Sequence, residues 1–323
     1  MGANTRKIRN TVILVKPATV AGADAAPTGA ANAVLIQEMS ITPLEIEKIA
    51  NPAMKGFFGA SADLMGAASV KIDITVALAG SGAAATPPAW GKLALGCAMA
   101  EGVLTVPDRV EYTPISTGLK DVTIYYYDDG VLHKALGAMG NMSLSAKSGG
   151  TPSLKYEFTG VAGEISATPN VPQTLSAWKT PVAMIKENVV DMTLGGTYAA
   201  GAITGGDVYP STGLDINLGN KVEFNSNLSI EEADISDREI TGSMELQLSA
   251  AQEVAMLQKV RSGELVSVAL KVGLITGNSI LIYGAAGQLS SPKKVEIKGV
   301  RYVGFDVKFV PVAGNDELRL VCL

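Results

Sequence analysis

The sequence predicts a mainly β protein made of two tandem β-sandwich or barrel domains, each with one flanking α-helix. Three observations predict this: apolar and polar residues alternate along most of the chain, helical patterns are few, and the order of elements recurs in both halves. A chain of 323 residues is commonly two domains. With 47% hydrophobic and 18% charged residues, it also has enough apolar surface to form a core.

Alternation with a period of two is typical of half-buried strands in antiparallel sheets. Ile72, Ile74 and Val76, for example, alternate with Asp73 and Thr75. The same pattern predicts strands at 71–78, 141–147, 153–161, 222–230, 242–248, 265–272, 279–283, 294–298 and 302–310. The triplet Asp128-Asp129-Gly130 predicts a hairpin turn, because Asp-Gly favours the positive φ angles that tight hairpins need.

Helical spacing of apolar residues occurs in two stretches, 88–100 and 249–261. The second is the better defined, since Ser249 is a suitable N-cap and Gly263 a suitable C-terminal stop. A short helix over 43–49 is a further candidate. Each predicted domain therefore contains one main helix.

The recurring order predicts a tandem duplication. In each half, a strand precedes the helix and paired strands follow it, and residues 154–161 match 305–312 in pattern. The alternative is two unrelated β domains. The predicted organisation is a flexible N-terminal arm at 1–30, a first domain at 31–167, a linker at 168–180 punctuated by Pro169 and Pro172, and a second domain at 181–323.

Composition argues against most enzymatic and metal-binding functions. The two cysteines, Cys97 and Cys322, cannot form a disulfide framework, and a single histidine, His133, excludes two-histidine metal motifs. His133 has no evident orienting partner for nucleophilic catalysis. We therefore expect no catalytic residues, no cofactor and no metal. The net charge of −5 also argues against nucleic-acid binding as the main task, because such binding relies on clustered Lys and Arg.

Two further segments have plain structural interpretations. The acidic run 231–239 lacks the spacing of a calcium loop, and we interpret it as a solvated loop or a salt-bridged interface. Tyr125, Tyr126 and Tyr127 lie next to aspartates and not to basic residues, which argues against stacking on nucleic-acid bases. They predict a strand with aromatic side chains on both faces, one of which could meet a neighbouring subunit.

Several short sequence motifs resemble those of a known family. They are Ala79-Gly80-Ser81-Gly82, Pro88-Ala89-Trp90-Gly91, Leu95-Gly96-Cys97, Glu111-Tyr112-Thr113-Pro114, the segment 125–130, Ser148-Gly149-Gly150-Thr151-Pro152, and downstream Ile235-Ser236-Asp237-Arg238 and Thr241-Gly242-Ser243. Together they resemble the major tail tube proteins of bacteriophages with long, non-contractile (siphovirus-type) tails. These specific motifs cover about a third of the chain, and the rest of the chain agrees with the family in the order of its strands and helices.

The resemblance implies the tail tube fold and a structural role, and together with the predicted duplication it gives two tail-tube-type domains. Subunits of such proteins form rings that stack head-to-tail around the channel through which DNA is ejected into the host. Because most members have one tube domain and form hexamers, a duplicated chain implies a homotrimeric ring with pseudo-sixfold symmetry. The implied partners are further copies of itself, the tape measure protein and the tail terminator and tip proteins. Genomic DNA would pass without specific binding, and the protein would be assembled in the host cytoplasm and reside in the virion.

Two sets of residues are candidates for roles in such a tube. Asp73, Glu157, Glu245 and Asp306 each lie opposite the apolar face of their strand and are predicted to face the channel. The second set is Met54, Phe57 and Phe58, apolar residues in a long insertion at 42–66. The resemblance assigns this loop to ring stacking; the alternative is a loop folded onto its own core.

A binding or adhesion module of a virion or cell surface is the competing function, since it could use the same β-sandwich. Such a module would stay soluble and present a compact polar and aromatic patch, whereas a tube protein should form rings or filaments.

Overall fold

Antiparallel β-structure dominates the computed structural model, which describes residues 5–323 and has 54% strand against 9% helix. The mainly β class is therefore confirmed. The first half contains β1 (Thr11–Pro17), α1 (Gly29–Asn32), β2 (Ala33–Val34), β3 (Glu38–Ile49), β4 (Leu64–Ala77), α2 (Gly91–Leu95), β5 (Met99–Thr105), β6 (Asp108–Pro114), β7 (Val122–Asp128), β8 (Val131–Lys147) and β9 (Ser153–Ala167).

The second half contains β10 (Val189–Leu194), β11 (Thr197–Ala199), β12 (Ala202–Thr204), β13 (Asp207–Tyr209), β14 (Ser211–Asn217), β15 (Asn220–Ser226), β16 (Glu231–Arg238), β17 (Thr241–Leu246), α3 (Ala250–Ser262), β18 (Leu265–Val272), β19 (Ile280–Ile297), β20 (Val300–Phe309) and β21 (Arg319–Cys322). Short 3-10 turns precede β1 and β10, at Ile8–Asn10 and Lys186–Asn188.

The two halves have the same strand order. In the first half, hydrogen-bonded neighbours run β3-β4-β9-β8-β7-β1-β2. In the second half they run β14-β17-β20-β19-β18-β10-β13. In both, the main helix follows the second strand of this order, and the fourth strand, β8 or β19, is the longest of its half. Seven strands therefore correspond one to one.

The sheets of the two halves are joined to each other. Residues 143–147 of β8 pair with 213–217 of β14, and β21 pairs with β6. One hydrophobic core runs through both halves, with Ile74, Tyr156 and Phe158 in the first and Leu246 and Phe305 in the second among its buried members. The halves are therefore packed together into a single body.

The N-terminal segment is different from the flexible arm expected over residues 1–30. Strand β1 pairs with β7 along all seven of its residues, and Ile13, Leu14 and Val15 are buried. Its apolar residues are consecutive because both faces are covered, so they lack the alternation that would have predicted a strand. Residues 1–4 lie outside the described part of the chain.

Two helix predictions need correction. The segment 43–49 is strand and not helix, because it is part of β3, which pairs with β4. The pairing shifts register after Thr42 and again after Ile46, so the apolar residues of this segment do not alternate regularly as they would in an undistorted strand. The stretch 88–100 is helical only over α2, since Gly96 caps it and Met99 already begins β5. The prediction at 249–261 is confirmed: Ser249 and Gln252 form a reciprocal capping box, and Gly263 ends α3 at a φ of 69°.

The three tyrosines of β7 do lie on both faces of the strand. Tyr126 belongs to the main core, and Tyr125 and Tyr127 pack on the other side with Val12 and Leu14. Val171 and Leu175, from the segment between the halves, pack against this second cluster. The segment that connects the two halves of the same chain therefore covers the face of β7 that was predicted to meet a neighbouring subunit.

A buried ionic cluster ties the C-terminal strand to the first half. The Glu111 carboxylate of β6 accepts hydrogen bonds from Arg109 Nε and Tyr198 Oη, each at 2.5 Å, and from Arg319 of β21. Burial alone would raise the pKa of Glu111, but the hydrogen bonds from Tyr198 and Arg109 and the charge of Arg319 outweigh it and lower that pKa. The ionised carboxylate therefore stabilises the fold.

Replacing Glu111 by alanine is expected to lower the free energy of unfolding by about 3 kcal/mol at neutral pH, because Arg109 is left buried without its counter-charge. Since the folded-state pKa of Glu111 is depressed, its contribution is complete above the unfolded-state pKa and is lost as pH falls through the folded-state value. Urea unfolding at neutral and acidic pH measures both effects. A change below about 0.5 kcal/mol in Glu111→Ala, typical of surface sites, would contradict the assignment.

Candidate assembly surfaces

Eight strands from both halves form one continuous sheet, in the order β3-β4-β9-β8-β14-β17-β20-β19. One side of this sheet packs on the core. We call the other side the polar face. It carries two equivalent rows of residues in register, one in each half: Ser40, Asp73, Glu157 and Asn141, then Asp215, Ser243, Asp306 and Ser290.

The four carboxylates predicted from the sequence all belong to the polar face. Asp73 pairs directly with Glu157, and Glu245 lies two residues along β17 from Ser243, the partner of Asp306. Glu157 and Asp306 occupy equivalent positions in the two rows. The structure thus brings these four residues to one surface.

Lysines offset much of the negative charge on the polar face. Lys155 Nζ lies 2.5 Å from Glu157 and 3.9 Å from Asp73, and the hydrogen bond to Glu157 raises the pKa of Lys155. Lys293 lies 3.9 Å from Asp306. Glu245 instead accepts a hydrogen bond from Thr212 at 2.9 Å. The face is therefore a mixture of hydroxyl, amide and paired charged groups rather than a strongly acidic surface.

The eight-stranded sheet ends in two free edges. Within residues 5–323, β3 pairs with β4 alone, and residues 289–297 of β19 pair with β20 alone. Both edges are irregular: the β3 ladder shifts register after Thr42, beside Pro43, and the β19 ladder shifts between Ser290 and Lys293, around Pro292. Bulges and prolines are common where a sheet edge must avoid indiscriminate pairing.

Residues 50–63 form the loop that connects β3 to β4, and we call it the apolar loop. Met54 and Phe58 are fully exposed and Phe57 is 74% exposed, so none of the three packs on the core. Gly56 and Gly59 have φ angles of 73° and 149°, which allow the chain to turn on both sides of the two phenylalanines. The three side chains are therefore free of contact with the core of their own subunit.

The second half has a projecting hairpin at the equivalent place, between the strands that correspond to β3 and β4. This hairpin, β15–β16, was missed by the sequence analysis, which predicted a strand over 222–230 and a loop or interface over 231–239. A turn at 227–230 separates the two strands instead. At its base Arg238 lies 3.1 Å from Glu317 and donates to the Ile115 carbonyl at 3.0 Å, which fixes the hairpin to the body. The tip exposes Leu228 and Ile230.

Cys97 and His133 lie in surroundings typical of structural residues. Burial raises the pKa of the Cys97 thiol well above its usual value, which makes it unreactive, and His133 stacks edge-on against Tyr126. In the described range 5–323, no group of three or more His, Cys, Asp or Glu side chains could hold a metal ion. Over the same residues, no helix is long and apolar enough to cross a membrane.

Comparison with known proteins agrees with the resemblance found in the sequence. No curated protein matches the chain. A family model described as phage tail tube protein matches residues 8–309, which spans both halves. This family is structural, its members build themselves into the tail tube, and its place is the virion tail. The chain therefore belongs to the phage tail tube protein family.

Proposed function

We propose that three copies of this chain close into a ring with pseudo-sixfold symmetry, and that such rings stack head-to-tail as the tail tube of a siphovirus-type phage. In this proposal the two halves are tandem copies of one tube domain, the polar face lines the channel, and DNA is ejected through it. The chain acts as a structural protein without enzymatic activity.

The observation that carries the proposal is the joint between β8 and β14. By strand order, β8 of the first half corresponds to β19 of the second, and β14 corresponds to β3. The two free edges are thus the counterparts of two strands that already pair within the chain. If the second half of one subunit meets the first half of the next in the same way, the free edges of both subunits are covered.

The lengths of the pairing segments support this joint. The β8–β14 joint contains five residue pairs, from Ser143–Asn217 to Lys147–Gly213. The regular part of β3 before its bulge is residues 38–42, and the regular part of β19 after its bulge is residues 293–297. Both are five residues long. Within the chain, Ser145 of β8 pairs with Asp215 of β14. Val295 of β19 is equivalent to Ser145, and Ser40 of β3 is equivalent to Asp215. The same register would therefore pair Val295 of one subunit with Ser40 of the next.

Closing such a ring would place the polar face on the inside of a continuous β-barrel. Hydroxyl groups and paired charges there offer DNA no cluster of free lysines or arginines, the feature that holds phosphates. This agrees with passage of DNA without specific binding. During assembly the same surface would meet the tape measure protein, and the tail terminator and tip proteins would meet the last rings. The apolar loop, with Met54, Phe57 and Phe58, is proposed to bridge stacked rings.

Negative-stain microscopy of the purified protein tests the proposal. Stacked rings with threefold end-on views are expected, together with a trimer in analytical ultracentrifugation at low concentration. A protein that stays monomeric at all concentrations would overturn the tube assignment, and a ring of six chains would overturn the trimer.

A further inference from the structure

A groove lies on the polar side of the second half, at the end of the β19–β20 hairpin. It has a volume of about 710 Å³ and its lining includes Val295, Ile297, Val300 and Tyr302. These four residues continue the row of Lys293, Gly304 and Asp306 along their strands, so they lie on the polar side of the sheet. Apolar residues on that side are an exception to the pattern of the rest of the face.

The corresponding positions of the first half are polar. Positions that correspond by register to Val295, Ile297, Val300 and Tyr302 hold Ser145, Lys147, Thr151 and Ser153. The two halves therefore differ in chemistry where their backbones correspond. An apolar patch acquired by only one copy indicates a contact made only at that copy.

The groove and the apolar loop lie at opposite ends of the eight-stranded sheet. The loop leaves the sheet beyond Ile49 and Leu64, at the end where β17 begins with Thr241, opposite Asn217. The groove lies beyond Leu246, the last residue of β17, which pairs with Val303. In a head-to-tail stack, the loop of one ring is directed at the groove of the next.

We propose that the groove at the β19–β20 end receives the apolar loop of a chain in the adjacent ring, with Phe57 and Phe58 packed against Val295, Val300 and Tyr302. The inference rests on the proposed function and adds the acceptor site. It makes stacking specific, because a loop from the first half binds only the second half of its neighbour.

Charge favours this occupant over the tip of β15–β16. The apolar loop carries Lys55 between Met54 and Phe57, and the groove contains the half-buried Glu245, which has no ion pair within the described chain. Lys147 and Lys293 of the groove are already next to Asp215 and Asp306. Lys298 also lines the groove, but it lies at its end, in the exposed turn between β19 and β20. The tip of β15–β16 is instead followed by Glu231 and Glu232, which would meet Glu245 with like charge.

Cysteine cross-linking in assembled tubes tests the acceptor site. Mild oxidation of Phe57→Cys, Val300→Cys tubes is expected to link chains of adjacent rings into long covalent ladders on non-reducing gels. Two matched pairs serve as controls: Phe57→Cys with Thr151→Cys, the first-half counterpart, and Leu228→Cys with Val300→Cys, the rival tip. Efficient linking in either control without linking in the first pair would overturn the inference while leaving the tube intact.

A second variant measures the same contact without new bonds. Val300→Thr gives the groove the residue that the first half has at this position. Because three such contacts weaken together at each ring-to-ring contact, the concentration needed for tube growth is expected to rise about 50-fold with rings intact. The reverse change, Thr151→Val, should leave growth unchanged. An unaltered growth threshold in Val300→Thr would contradict the proposal. Failure of the unmodified chain to form tubes would instead contradict the proposed function.

Discussion

Chains with cysteine at both Ser40 and Val295 are expected to become covalently closed trimers under mild oxidation. If β19 of one subunit pairs with β3 of the next as β8 pairs with β14, these two residues lie directly opposite each other. Opposed residues in antiparallel strands have Cα atoms about 4.5–5.5 Å apart, within the range a disulfide spans. Each chain carries one introduced cysteine at each position, so it can form one disulfide with each of its two neighbours in the ring. In a closed ring of three chains, the largest covalent product is therefore a trimer.

Two control pairs make this cross-link specific. Ser145→Cys with Asp215→Cys tests the template itself, since these residues pair within the chain, and should give an oxidised monomer. Ser40→Cys with Glu296→Cys places the thiols on opposite faces of the sheet and should not link. The native Cys97 and Cys322 are both buried, so background oxidation should be low. Covalent hexamers, or linking only at position 296, would contradict the trimer or its register.

The sequence pattern correctly predicted those strands, turns and helices that are determined by residues within the element itself. Strand β18 coincides with the predicted 265–272, because every second residue from Val266 is buried and most of the residues between them are exposed or half-exposed. The hairpin at 128–130 forms as expected, with φ angles of 44° at Asp129 and 97° at Gly130. Helix α3 is limited by a cap and a glycine that are both visible in the sequence.

Strands that depend on contacts with segments distant in the sequence could not be predicted from their own residues. Strand β1 is buried on both faces by segments distant in sequence, and β3 is exposed over most of its length, so neither alternates. The break at Ser291-Pro292 is a bulge inside β19, although it resembles an interruption between two strands. A proline in an edge strand loses no ladder bond, so it does not end the strand.

The candidate surfaces show the same division. Alternation placed each of Asp73, Glu157, Glu245 and Asp306 on the polar side of its own strand. Placing them on one common face required the register between strands, including the β8–β14 joint, which no local pattern encodes. The groove was missed because Val295 and Val300 resemble ordinary strand residues. Only comparison with the corresponding Ser145 and Thr151 reveals that they are unusual.

Removal of residues 50–60 is expected to leave folded trimeric rings that cannot form tubes. The segment has no core contact at Met54, Phe57 or Phe58, so its loss should not affect unfolding. Burying one phenylalanine contributes about 1.5–3 kcal/mol, and three loops act together at each ring-to-ring contact. The combined loss is on the order of 10 kcal/mol, which would move ring association from nanomolar to beyond millimolar.

Sedimentation and negative-stain microscopy would measure tube formation in this deletion variant, with circular dichroism reporting the fold. A double substitution, Phe57→Ser with Phe58→Ser, should have nearly the same effect, since it removes the apolar side chains and keeps the loop length. Val103→Ser with Leu104→Ser, at an exposed part of the β5–β6 hairpin, controls for a general loss of surface hydrophobicity and should still form tubes. Tubes of normal length from the deletion variant would show that ring stacking depends on the body of the sheet rather than on the apolar loop.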